Sequence, residues 1–114
     1  MNDPAFLVLS TFPTADAARQ IARRLVEEHL VACANILPGV ESIYVWKGNV
    51  ETAGETLVLF KTTQENYPRV ERRIRELHPY EVPEIVALEF AAVQPDYLKW
   101  LRESCGIAAD NAAT

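Results

Sequence analysis

The chain contains 114 residues, of which 49% are hydrophobic and 24% charged, and its formal net charge is −5 at pH 7. This length fits one domain, which excludes an enzyme built from two domains around a cleft, and the apolar fraction excludes a disordered chain. We expect a single domain over residues 1–114, ordered from about residue 5 to about residue 106, with residues 108–114 frayed.

Nucleic-acid binding is not expected, because phosphate contacts need a cationic surface and 11 Lys and Arg face 16 Asp and Glu. The one local concentration of positive charge consists of four arginines within residues 69–75. Glutamates alternate with them at helical spacing, which predicts the pairs Glu71–Arg75 and Arg72–Glu76. A solvated helix face is therefore the preferred interpretation.

The N-terminal residues Met-Asn-Asp-Pro lack the basic region of a secretion signal, and no apolar stretch approaches the roughly 18 residues that span a membrane. Cys33 and Cys105 form no CxxC pair, so neither a zinc knuckle nor a thioredoxin motif is predicted. Both cysteines are interpreted as small packing residues. These features predict a cytoplasmic protein with reduced thiols and no membrane partner.

The first predicted elements are a strand and a helix. Residues 6–12 form a nearly continuous apolar run, as expected for a strand covered on at least one face. Thr14 is placed to cap a following helix, which is predicted to end near Leu30. Its apolar residues recur at helical spacing: Ala18, Ile21, Ala22, Leu25 and Val26.

Two long β-type regions follow, over residues 32–47 and residues 50–62, joined by a turn at residues 47–49. Pro38 and Gly39 interrupt the first region, which predicts a bulge or bend in that strand. The two regions together predict an extended hairpin.

Residues 63–77 then predict a second amphipathic helix, which tolerates Pro68 only because that residue falls in its first turns. Residues 84–90 predict a last strand, and a third helix opens at Pro95 and stops at Gly106. The order β-α-β-β-α-β with a C-terminal helix predicts an α+β fold, the ferredoxin-like sandwich with two helices on one face of an antiparallel sheet.

The predicted hairpin is too long for this fold. A first helix of about 16 residues is roughly 24 Å long, whereas residues 32–47 span on the order of 50 Å as a strand. Either the projecting hairpin curls back on its own core, or, as we prefer, it pairs with other copies in a closed ring. The candidate interface residues are Val40, Ile43, Tyr44, Val45 and Trp46.

The segment of residues 78–84 carries the densest set of reactive side chains. Two prolines fix its backbone, while an imidazole, a phenol and two carboxylates project from it. Such a loop suits a ligand site, but it suits equally a turn from helix to strand in which His78 complements the helix dipole. Both interpretations stay open.

No metal-binding pair with ligand spacing is present, although His78 with a carboxylate and a residue from another copy could bind copper or zinc weakly. The chain also lacks a G-x-S-x-G nucleophile elbow, a P-loop and a dinucleotide fingerprint. We therefore expect no catalysis and no organic cofactor.

Aromatic residues near the hairpin and in the third helix allow a ligand pocket between subunits, although core or interface packing is their more common role. Lys61 lies in an apolar stretch, and a partly buried ammonium group favours an acidic partner such as Glu81 or Glu84. The candidate pocket residues are Trp46, Lys61, Tyr80, Glu81, Glu84 and Trp100.

Five segments, in unbroken order within residues 6–104, resemble the CutA family of divalent-ion tolerance proteins. They are LVACANILPGV at 30–40, SIYVWKG at 42–48, the Lys61–Thr62 pair, HPYEVPEI at 78–85 and YLKW at 97–100. The resemblance implies a ferredoxin-like subunit in a homotrimer whose hairpins pair between subunits. It also implies a cytoplasmic protein associated with tolerance to copper and other divalent metal ions.

In that family, proposed copper ligation uses a cysteine at the end of the first strand and two adjacent histidines before the Pro-Tyr motif. Here those positions hold Ser10 and the pair Leu77–His78, so only His78 is retained. The resemblance thus implies weak binding of Cu²⁺ or another divalent cation. The trimer also resembles that of PII signalling proteins, which implies as an alternative an organic or nucleotide-like ligand in the intersubunit clefts. A third hypothesis, independent of that resemblance, is a trimeric scaffold whose apparent pocket is only an interface.

Overall fold

The computed structural model describes residues 3–107, which include a four-stranded antiparallel sheet with the strands in the order Cys33–Trp46, Asn49–Thr63, Ala5–Phe12 and Val86–Glu89. This topology confirms the predicted ferredoxin-like α+β fold. The elements are β1 (Ala5–Phe12), α1 (Ala15–Glu27), β2 (Cys33–Trp46), β3 (Asn49–Thr63), α2 (Tyr67–Leu77), β4 (Val86–Glu89) and α3 (Pro95–Arg102), followed by a wide helical turn, Glu103–Ile107.

The core lies between α1, α2 and one face of the sheet. Val8 of β1 and Phe60 of β3 are fully buried there against Leu25 and Ile74 of the two helices. The predicted cap of α1 is confirmed, because Thr14 Oγ1 accepts a hydrogen bond from Ala17 N at 3.1 Å. This core holds the end of β1 and the start of β2 in place, from which the hairpin extends.

Two predicted boundaries are wrong. α1 ends at Glu27 rather than near Leu30, and His29 then adopts a positive φ of 62°. α2 begins at Tyr67 rather than at residue 63, because Asn66 is buried and its Nδ2 donates to the carbonyls of Leu30 and Cys105. The segment before α2 is therefore held by long-range bonds that hydrophobic periodicity does not reveal.

The last strand is also shorter than predicted. Val86–Glu89 pairs with β1, whereas the prediction covered residues 84–90. Residues 78–85 instead form the connection between α2 and β4. This connection passes the end of β1 and becomes one wall of the groove described below.

The hairpin of β2 and β3 ends in a two-residue turn at Lys47 and Gly48, with φ values of +53° and +84°. These values fit the type I′ turn that matches strand twist. The register shifts between Leu37 and Val40, which confirms the predicted bulge.

The far half of this hairpin projects from the helical layer, and the molecule is 51 Å long. Ile43, Val45 and Val50 are 68%, 67% and 73% exposed there, so the hairpin does not curl back on its own core. The alternative in which the hairpin curls back is therefore wrong for the described chain, whereas its pairing with other copies stays a prediction.

The basic face of α2 is paired with glutamates, but not as predicted. The pairs Glu71–Arg75 and Arg72–Glu76 are absent from the described chain; instead Arg73 bonds to Glu28 at 2.8 Å, just after α1. This contact lowers the pKa of the Glu28 carboxyl below its usual range. Because the ion pair between Arg73 and Glu28 joins α2 to the end of α1, Arg73 has a structural role.

Both cysteines are free thiols: Cys105 is buried against Leu101 and Ala5, while Cys33 is partly buried. Burial raises the pKa of the Cys105 thiol to about 11, which fits a packing role. Within residues 3–107, no helix combines the length and apolarity needed to cross a bilayer. The predicted fraying of residues 108–114 lies outside the described residues.

Candidate functional site

A groove of about 720 Å³ opens between the projecting hairpin and the loop that follows α2. Its hairpin side carries Ser42, Tyr44, Trp46 and Glu55, and Thr11 lies where β1 ends. Its loop side is formed by the six-residue segment 79–84, which contributes Tyr80, Glu81 and Glu84. Four of the six predicted pocket residues are therefore brought together in one chain.

Strand geometry explains the hairpin side. Successive side chains point to opposite faces of a strand, so Ser42, Tyr44 and Trp46 share one face of β2 while Ile43 and Val45 share the other. The hairpin thus presents an aromatic face and an aliphatic face, although Ile43 also borders the groove.

The loop side is held by His78, the first residue after α2. Its Nδ1 accepts a hydrogen bond from Tyr80 N at 3.0 Å, so Nε2 carries the proton and donates to the Thr11 carbonyl at 2.8 Å. The ring stacks on Phe12, with centroids 4.5 Å apart and planes 18° apart. His78 therefore attaches the loop to the end of β1.

These contacts bear on the predicted metal ligand. His78 is 8% exposed, and burial lowers the pKa of its imidazole below the ordinary value, so the ring is neutral at pH 7. Both ring nitrogens are engaged, and one bond must break before either can ligate a metal ion. Among residues 3–107, no three His, Cys, Asp or Glu residues form a group that could hold a metal.

Ser10 stands where metal-ligating relatives were expected to carry cysteine. It is fully buried, and its Oγ has no hydrogen-bond partner within the described chain. On β1 it shares the face of Val8 and Phe12, which belong to the helix-covered core. Its position favours a packing role.

Glu55 completes the groove and was not among the predicted site residues. The Tyr80 hydroxyl donates to Glu55 Oε2 at 2.7 Å, which joins the loop to β3. Burial and this carboxylate raise the pKa of the Tyr80 hydroxyl well above its usual range. No local sequence signal could reveal a bond between residues 25 positions apart; it follows only once the loop is placed beside the hairpin.

The other two predicted pocket residues lie elsewhere in the chain. Lys61 Nζ is 3.4 Å from the Tyr97 hydroxyl and 5.5 Å from that ring's centroid, and the Tyr97 ring lies 5.4 Å from Trp100. Lys61 is six residues along β3 from Glu55, or about 20 Å. Within the described chain Lys61 therefore does not pair with a loop glutamate: an aromatic side chain of α3 contacts its ammonium group, and a pairing with a glutamate of another copy stays a prediction.

The predicted interface residues all lie on the projecting half of the hairpin. Val40 is half-buried just after the bulge, and the other four are exposed in the single chain. They divide between the two hairpin faces: Ile43 and Val45 on the aliphatic face, Tyr44 and Trp46 on the aromatic face.

Comparisons with known proteins agree with this fold. The family model described as CutA1 divalent ion tolerance protein matches residues 6–104. The divalent-cation tolerance protein CutA of Thermus thermophilus is 52% identical over 100 residues, which cover 88% of this chain and 97% of that protein. The chloroplastic protein CutA of Arabidopsis thaliana is 38% identical over 101 residues, or 89% of this chain and 56% of that protein.

A solved structure, the divalent cation tolerance protein Cut A1 from Thermus thermophilus, superposes with a TM-score of 0.87 at 51% identity. The superposition covers 90% of this chain and 99% of that one. The family match spans most of the chain, and the superposition shows the same fold. The protein therefore belongs to the CutA1 divalent ion tolerance family.

Proposed function

We propose that this protein acts in divalent-metal tolerance as a non-catalytic homotrimer in the cytoplasm. Family membership supports the role in tolerance. The observation that carries the trimer is the exposed aliphatic face of Ile43, Val45 and Val50, which an isolated chain leaves in water. The two free thiols suit a reducing compartment.

Sedimentation equilibrium tests the assembly. We expect a mass three times the 12.8 kDa of the chain. Val45→Glu places a charge on the aliphatic face and should dissociate the trimer, whereas Glu51→Gln changes a charge on the same hairpin and should leave it intact. A monomeric wild type would contradict the proposal.

Cell fractionation with a tagged full-length chain tests the compartment.

We further propose that Cu²⁺ or another divalent cation binds weakly, with His78 as the candidate ligand. Weak binding is expected because an imidazole nitrogen must first give up its bond to Thr11 or Tyr80. In a calorimetric titration with CuCl₂, His78→Gln should lose the binding that His29→Gln, which alters the only other histidine, retains. Equal copper binding by wild type and His78→Gln would eliminate His78 as a ligand.

The groove favours a second candidate function, that of a PII-like trimer that binds a small organic ligand. Its volume of about 720 Å³ and its aromatic walls are typical of small-molecule sites. Lys61 and Trp100 join this site only where a neighbouring copy brings them to it. A thermal-shift screen tests the candidate, because a ligand of the native state raises the Tm. No shift with any ligand would leave a scaffold that binds nothing.

A further inference from the structure

The groove between the hairpin and the loop of residues 79–84 has a chemistry that selects among ligand classes. The inference below rests on the second candidate function, in which this groove holds a small organic ligand. Within the described chain, none of the residues that line the groove is Lys, Arg or His, whereas three are glutamates: Glu55, Glu81 and Glu84. An anionic ligand such as a nucleotide would meet three carboxylates among the lining residues. The Lys47 ammonium, outside this lining, lies 5.9 Å from the centroid of the Trp46 ring at the hairpin tip, which shows that this ring already accommodates an ammonium group.

Aromatic rings provide the second part of this chemistry. Tyr44 and Trp46 line the hairpin side of the groove, and Tyr80 lines the loop side. The face of an aromatic ring attracts an ammonium group, most strongly for Trp. Methylene groups of a ligand also pack against such rings, which an inorganic ion cannot do. Carboxylates interspersed with aromatic rings are therefore complementary to an organic cation.

The spacing of the carboxylates distinguishes an organic cation from a metal ion. A divalent cation needs several ligands that converge on one point at about 2–2.6 Å. Within residues 3–107, no His, Cys, Asp or Glu side chains converge in this way. Glu55 lies on β3 while Glu81 and Glu84 lie on the opposite loop, so negative charge is spread along the groove. A ligand with separated charges matches this distribution.

The groove wall is also held in place before any ligand arrives. His78 joins the loop to Thr11, and the Tyr80 hydroxyl bonds to Glu55 across the groove edge. A wall fixed in this way spares a ligand part of the entropic cost of ordering it.

We infer that the groove binds an elongated organic cation with two or more ammonium groups, of the diamine and polyamine class. The ammonium groups bind the glutamates, and the methylene chain lies against Tyr44 and Trp46. The aliphatic face of Ile43, Val45 and Val50 stays available to other copies of the chain.

Calorimetric titration of the full-length protein with spermidine tests this inference. The double variant Glu81→Gln/Glu84→Gln should weaken binding roughly tenfold or more, since it removes two carboxylates that accept charge-assisted hydrogen bonds from the ammonium groups. The double variant Glu27→Gln/Glu65→Gln makes the same change in net charge at exposed residues that lie outside the hairpin and do not line the groove, and it should bind like wild type. Trp46→Ala should weaken binding several-fold.

The ligand series sharpens the test. Binding should decrease from spermidine to putrescine to butylamine, and butane-1,4-diol, which has no charge, should not bind. Equal losses in the two double variants would overturn the inference, because they would indicate attraction by net charge alone. A thermal shift with ATP but none with spermidine would overturn the ligand class while sustaining a ligand-binding groove. No shift with either, or with any other metabolite, would overturn both.

Discussion

The two halves of β3 show how one strand can serve two purposes. In the half beneath the helices, Val58 is fully buried, whereas in the projecting half Val50 is 73% exposed. Both residues lie on the same face of β3, and β2 pairs with β3 at both positions. The difference lies in what covers them: α1 and α2 cover the first half, and nothing in the described chain covers the second. Buried core contacts are therefore concentrated in one half, whereas the other half leaves apolar side chains exposed within the described chain.

The largest expected effect contrasts two aromatic residues, one in each half. Phe60→Ala should lower the free energy of unfolding by about 3–5 kcal/mol, because it opens a cavity in the core. Trp46→Ala should cost far less, since Trp46 is exposed in the chain. Urea denaturation at one protein concentration measures both. Equal losses would show that the projecting half is packed as tightly as the core.

A matched pair of valines gives the next largest effect. Val58→Thr puts a hydroxyl in the core and should cost about 1–3 kcal/mol. Val50→Thr at an exposed site should change the stability of a subunit by less than about 0.5 kcal/mol. Denaturation over a range of protein concentrations measures both. A cost at Val50 that varies with concentration would mean that another copy covers the hairpin, whereas the cost at Val58 should not vary.

A pair of glycines isolates the hairpin turn. Gly48 has a φ of +84°, so Gly48→Ala should destabilise the chain by about 1 kcal/mol. Gly54 lies in β3 without a positive φ, and a Cβ there meets nothing within 4 Å, so Gly54→Ala should be neutral or slightly stabilising. Thermal unfolding of both variants measures the difference. If both variants lost the same stability, the positive φ of Gly48 in the turn could not be the cause of the loss.

The smallest expected effect is a dependence on pH. The folded-state pKa of His78 is lowered by burial, so the unfolded chain binds a proton more readily than the folded chain. Neutral His78 contributes to the free energy of unfolding. This contribution is fully present above the pKa of about 6.5 in the unfolded chain, and it is lost as the pH falls through the lowered pKa of the folded chain. Stability measured across this range should fall more steeply for wild type than for His78→Gln. If the stability of wild type and His78→Gln had the same dependence on pH, the lowered pKa of His78 would be contradicted.

Much of the fold could be predicted because its signals are local. The cap at Thr14 and the bulge at Pro38–Gly39 each depend on a few adjacent residues, and the structure confirms both. The start of α2 could not be predicted, because the buried amide of Asn66 bonds to carbonyls more than 30 positions away. Residues 63–66 read Thr-Gln-Glu-Asn and contain no apolar residue, so apolar periodicity could not define this boundary.

The candidate site was only half predictable for a similar reason. The loop motif identified Tyr80, but its partner Glu55 stands in a long strand whose loop-facing residues depend on the tertiary fold. Lys61 was correctly expected to be partly buried, yet its neighbour is an aromatic side chain of α3. The residue type of Lys61 indicated that its ammonium group needs a partner, but only the packing of α3 on the sheet identified Tyr97 as that partner.

The bulge between Leu37 and Val40 makes the hairpin sensitive to the number of residues before its tip. Two residues of β2 stand opposite one residue of β3 there, which reverses the alternation of every side chain that follows. Deletion of Gly39 would turn Tyr44 and Trp46 to the side that Ile43 and Val45 now occupy. Which side chains each face of the distal hairpin presents thus depends on the number of residues in the bulge. A relative that differs by one gap at this position would present an inverted hairpin despite an otherwise similar sequence.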